Sequence, residues 1–106
     1  MTVNELIKTI GNVIVKIDVT RSSLDRNTPQ RVHLDNDRDE LDTFQRKIVR
    51  SVIDENSVEF KKHTAALKEA DKELGRTMDD LKRLVETLAN LDKFIAAVGK
   101  IAVLIV

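Results

Sequence analysis

The 106-residue chain contains no cysteine, tryptophan or tyrosine, and only one proline and three glycines. Without cysteine there is no disulfide, no thiolate zinc site and no thiol nucleophile. So few turn-forming residues exclude a sandwich or barrel, which needs a turn after every short strand. Three phenylalanines are the only aromatics, so the interleaved stacking platform of a single-strand nucleic-acid binder is missing. Charge of one sign is also missing. The 18 basic and 18 acidic residues cancel, leaving no long-range field to draw the chain onto nucleic acid. Gly11, Gly75 and Gly99 stand alone, so no glycine-rich phosphate loop exists. No stretch reaches the roughly 18 apolar residues that span a bilayer. The start, MTVNELIKTIGNVIV, lacks the basic n-region and small-residue cleavage site of a leader peptide. A cytoplasmic location is the expectation, with peripheral membrane association as the alternative.

What is abundant is helical periodicity. Leu67, Leu74, Leu81, Leu88 and Ile95 recur every seven residues, and Phe60 and Ile53 extend the series upstream. A seven-residue apolar repeat keeps one stripe of a helix against a partner helix. From residue 78 onward the face widens, with Met78, Leu84, Val85, Leu91, Phe94 and Val98 added to the seam. That width predicts packing against more than one neighbour, as in a bundle.

Val3, Ile10, Ile17 and Leu24 form an earlier stripe, with Leu6, Ile7, Val13 and Ile14 on the same face. Val13, Val15, Ile17 and Val19 also alternate as a strand would, but the helical template accounts for more residues over a longer window. Residues 25–35 read as a linker, because Pro29 disfavours helical geometry at Thr28 and Asp25 and Asn27 favour turns. The next unit, 36–54, opens with Asp37, Asp39, Glu40 and Asp42 and closes with Arg46, Lys47 and Arg50, a polarity that complements a helix dipole. The apolar phase then shifts near 49–53, so either a long helix carries a stutter or Ser57 caps a new one. Gly75 raises a second break, with Thr77-Met78-Asp79-Asp80 as a loose capping box. The heptad nevertheless runs through Gly75 in register, which predicts a continuous helix over 57–98, roughly 60 Å long.

The expected architecture is one all-α domain over 1–106: a helix at 2–24, the linker at 25–35, and a long helical region over 36–106, with 54–57 and 75–76 as the places where it could break. It would pack as an elongated helical hairpin or a three- to four-helix bundle with coiled-coil heptads.

Chemistry has few footholds. Asp35, Asp37 and Asp39 start like a calcium loop, but the sixth position is Glu40 instead of Gly and the twelfth is Arg46 instead of Glu. They read as a solvated helix start. His33 lies near Asp35 in the linker. His63 has Glu59 one turn before it, at best half a metal site, and reads as a polar layer within a helical seam. No serine sits on a nucleophile elbow. The expectation is therefore a protein that is not an enzyme and has no catalytic residue, metal, cofactor or small-molecule substrate. Lys61, Lys62, Lys68, Lys72, Arg76, Lys82 and Arg83 interleave with Glu69, Glu73, Asp79 and Asp80, a solvated face with helical ion pairs, and nucleic acid is not an expected partner.

Two functions follow as expectations. The first is a non-enzymatic interaction or scaffold module that forms a homo-oligomer or binds another helical protein through the stripe Phe60, Leu67, Leu74, Leu81, Leu84, Leu88, Leu91 and Ile95. The second is a membrane-active protein. The closing segment FIAAVGKIAVLIV carries one charge, Lys100, and Phe94, Val98, Ile101, Val103, Leu104 and Ile105 would be its membrane or partner contacts. The alternative fate of these residues is burial against the Ile- and Val-rich helix at 3–17.

Overall fold

Residues 1–105 are described by a computed structural model. They form four α-helices, α1 (Val3–Ser22), α2 (Pro29–Val49), α3 (Val58–Gly75) and α4 (Leu84–Ala102), with a single 3₁₀ turn at Leu81–Arg83 leading into α4. No strand occurs among the described residues.

Each of the first three helices begins where a side chain satisfies a free backbone N–H. Thr2 and Glu5 form a reciprocal capping box at α1, Thr28 accepts from the Arg31 N–H at α2, and Ser57 accepts from the Phe60 N–H at α3. Of the two readings of the phase shift near 49–53, a stutter or a Ser57 cap, the cap is the one present.

The linker expected at 25–35 is shorter than its sequence suggests. Thr28 is extended, as the residue before a proline prefers, but the helix starts at Pro29 itself. Proline suits the first helical position because its missing N–H has no intrahelical partner there. This moves His33, Leu34 and Asp35 onto α2. It also places Asp37, Asp39 and Glu40 inside the helix, and the first turn of α2 holds no acid. The acidic run is thus not a dipole complement.

The expected continuous helix over 57–98 is broken. α3 ends at Gly75, and the chain reverses through residues 76–83 before α4. The heptad runs in register across this point, yet Phe60, Leu67 and Leu74 lie on one helix and Leu88 and Ile95 on another. The physical reason is the wide apolar face of α4. Folded back, α4 buries Leu91, Phe94, Ile95, Val98 and Ile101, which a straight extension would leave in water. The molecule accordingly measures 42 × 24 × 17 Å.

Helix directions follow from the contacts. Arg21 reaches Asp35 and Gln45 reaches the Ile7 carbonyl, so α1 and α2 are antiparallel. Asn90, early in α4, donates to the Glu73 carbonyl late in α3, so these two are antiparallel as well. His33 meets Asp92, and Phe44 lies beside Gly99, so α2 and α4 run parallel. α4 packs on both α2 and α3, and the core runs through all four helices: Leu6, Ile10 and Ile17 with Leu34, Leu41 and Ile48, then Phe60, Leu67 and Leu74 with the α4 residues above. Arg31 ties the α1–α2 corner, donating to the Arg21 and Leu24 carbonyls and pairing with Asp35. Glu55, in the α2–α3 connection, accepts from the Val3 N–H and joins that loop to the start of α1.

Gly11 allows the close approach of α1 and α2, since a Cβ there would stand 3.2 Å from the Gln45 Nε2 that donates to Ile7. Gly75 has no such role: its φ is not positive and a Cβ would meet nothing within 4 Å. Gly75→Ala is expected to stabilise the fold by about 0.5 kcal/mol, through lower unfolded-state entropy and better helix propensity, read as a raised urea midpoint at unchanged slope.

Candidate functional site

The stripe residues have separate fates. Phe60, Leu67, Leu74, Leu91 and Ile95 are buried inside the chain's own core, and Leu84 and Leu88 are half-buried. Leu81 belongs to the 3₁₀ turn and is 51% exposed. In the closing segment Phe94, Val98 and Ile101 are core, Leu104 and Ile105 are half-buried, and Val103 is 78% exposed. No helix among the described residues is long and apolar enough to cross a membrane.

Two surface features remain as sites. The first is a groove of about 460 Å³ between α3 and α4. Ala66, Ala70, Ala96 and Ala97 line it with Lys62, Lys93, Lys100 and His63, and no carboxylate does. Antiparallel packing brings the two alanine pairs together, and their small side chains open the channel. The lysines flank it because they fall on the solvent side of each helix. His63 is half-buried at this groove instead of forming a polar layer in the seam, and the buried polar residue of that turn is Thr64, whose hydroxyl donates to the Lys61 carbonyl.

The second feature is a cluster on the α2–α4 seam. His33 and Asp37 are one turn apart on α2, and Asp92 comes from α4. His33 Nε2 lies 2.9 Å from Asp92 Oδ1 and 3.2 Å from Asp37 Oδ2. One ring nitrogen serves one of these oxygens, and it serves Asp92. Asp37 is only 7% exposed, and its Oδ2 is buried without a hydrogen bond. Burial, reinforced by the neighbouring Asp92 carboxyl, pushes Asp37 up to about 7, while the hydrogen bond to Asp92 raises His33 above its ordinary value. An open pocket lined by Pro29, Val32, Asn36 and the three cluster residues gives this site access to solvent.

Asp35 lies elsewhere. Arg21 and Arg31 hold its carboxyl below the usual range, and with Asp18 and Arg38 they close an ion network across the α1–α2 seam. The run Asp35, Asp37, Asp39 thus divides into a paired acid, a buried acid and an exposed one, with no shared calcium-type site.

A linker running through His33 conceals the cluster in the sequence. With His33 in a loop, its four-residue spacing to Asp37 has no meaning; on a helix it puts both side chains on one face. Asp92 carries no local signal, since only the parallel packing of α2 and α4 brings it there. Comparison of the chain with protein families, curated proteins and solved structures finds no match.

Proposed function

We propose that this protein is a non-enzymatic helical interaction module that takes a helix of another protein, acidic along its flanks, into the α3–α4 groove. One observation carries the reading: a channel lined by four alanines and three lysines with no carboxylate. The alanines let a partner backbone approach closely, and the lysines select negative charge and reject positive. The apolar stripe is largely consumed by the core, so it supports the module as a scaffold, and the groove supplies the contact. The seven-residue spacing of Phe60, Leu67 and Leu74 is compatible with coiled-coil-like packing along α3.

The test uses a synthetic amphipathic helix with alanine and leucine on one face and glutamate at its flanks, and a second peptide with lysine at those flanks. The glutamate peptide is expected to bind, the lysine peptide to fail, and Lys62→Glu/Lys93→Glu/Lys100→Glu to weaken the first at least roughly tenfold, from about 0.5 kcal/mol per exposed pair. Equal binding of both peptides, or an unaffected triple variant, would refute the reading, and sedimentation showing the groove buried between two copies would replace the partner with a homo-oligomer. Leu81→Asp is expected to leave helicity and peptide binding unchanged and to alter stability by less than about 0.5 kcal/mol, because Leu81 is exposed on a turn.

A further inference from the structure

The geometry points to a divalent transition-metal site, of the kind that takes zinc(II), formed by His33, Asp37 and Asp92, stapling α2 to α4. Three donor atoms, one imidazole nitrogen and two carboxylate oxygens, lie within 4.8 Å of one another. The two distances at His33 are 2.9 and 3.2 Å. An ion about 2.1 Å from each donor in tetrahedral geometry sets those donors about 3.4 Å apart, so the two His33 contacts need to lengthen by only a few tenths of an ångström, and the two carboxylate oxygens already lie within 4.8 Å of each other.

A second observation is independent of this spacing. Asp37 Oδ2 is buried, faces the cluster and accepts no hydrogen bond. A buried carboxylate oxygen without a donor is costly, and a bound cation would satisfy it. The site is also closed on one side and open on the other. Asp37 backs it from the interior, while His33 and Asp92 are partly exposed beside the solvent pocket that Asn36 and Pro29 also line. Three protein ligands leave a further coordination position to water.

The donor set bears on which ion binds. Magnesium and calcium prefer all-oxygen shells, whereas an imidazole with carboxylates suits zinc and its first-row neighbours. Two ionised carboxylates balance a divalent charge, so the loaded cluster is neutral overall. His63 lies at the α3–α4 groove, outside this set.

The experiment is calorimetric titration of zinc chloride into the full chain, purified without a histidine tag and stripped with chelator, alongside thermal melts with and without the ion. One zinc per chain is expected, with a raised melting temperature that chelator reverses and no comparable response to calcium. His33→Ala and Asp92→Asn should each weaken binding at least tenfold, and His63→Ala should leave it unchanged. Both cluster substitutions fall on partly exposed side chains, and circular dichroism checks that the helices persist. Should His33→Ala lose helicity, Asp92→Asn alone decides. The proposal is overturned if the parent chain takes up no zinc at micromolar concentration, if calcium binds as well as zinc, if the cluster variants bind like the parent, or if binding is lost with His63.

Discussion

Val98→Glu is expected to unfold the bundle, while Val103→Glu, five residues later, leaves it folded. Val98 has no exposed surface and belongs to the shared core, together with Phe94 and Ile101. A glutamate there either carries an unpaired charge into an apolar interior or remains protonated with its polar atoms unsatisfied, and it also overfills a well-packed site. The cost is of order 4 kcal/mol or more, a large share of the roughly 5–15 kcal/mol that holds a domain of this size together. Val103 points to solvent at 78% exposure, so the same substitution there should change stability by less than about 0.5 kcal/mol. Thermal and urea unfolding followed by circular dichroism reads both. Equal tolerance would mean that the apolar face of α4 is not buried in the core. The pair also bears on the membrane expectation, since presenting Phe94, Val98 and Ile101 to a bilayer would require the bundle to open.

In metal-free buffer the protein is expected to be more stable near pH 5 than near pH 8, by about 2–4 kcal/mol, with Asp37→Asn removing most of the difference. Asp37 ordinarily titrates at 3.8 and is raised to about 7, chiefly by burial, then by Asp92, with Glu40 adding to the effect and His33 opposing it. Between roughly pH 4 and 7 the folded chain therefore keeps a proton that the unfolded chain has released, and stability falls as pH rises through that window. His33, raised by its hydrogen bond to Asp92, acts in the same direction: its contribution is complete below its ordinary value of 6.5 and is lost as pH climbs through the higher folded value. Asp35 acts oppositely, because a lowered carboxyl contributes above its ordinary range and loses that contribution in acid. The optimum should therefore fall near pH 5. Asparagine at position 37 keeps the shape, carries no charge at any pH, and offers its amide to Asp92. A parent stability curve that is flat from about pH 5 to pH 8, or an Asp37→Asn curve as steep as the parent's, would show that this cluster does not govern the pH response.

Much of the bundle was legible in the sequence because helical periodicity and capping are local. Ser57 sits one residue before α3 as its cap, and the stripe from Leu6 to Ile17 is the buried face of α1. Pro29 disfavours helical geometry at Thr28 but suits the first position of a helix, and only the second property places the start of α2 and gives the His33–Asp37 spacing its meaning.

By itself the sequence determined that the protein is all-helical, that its apolar faces are wide enough for a bundle, and that the stretch from residue 78 onward carries the widest of them. Only the tertiary structure decided that the chain reverses after Gly75, because a heptad in register fits both a straight helix and two helices folded back on each other. The choice depends on whether the wide face of α4 finds apolar surface elsewhere, and α2 and α3 provide it. The structure alone also brought Asp92 to His33 and Asp37, and Lys93 and Lys100 to Lys62. Those meetings depend on which helices pack side by side and in which direction, and long-range packing leaves no periodic mark along a single chain.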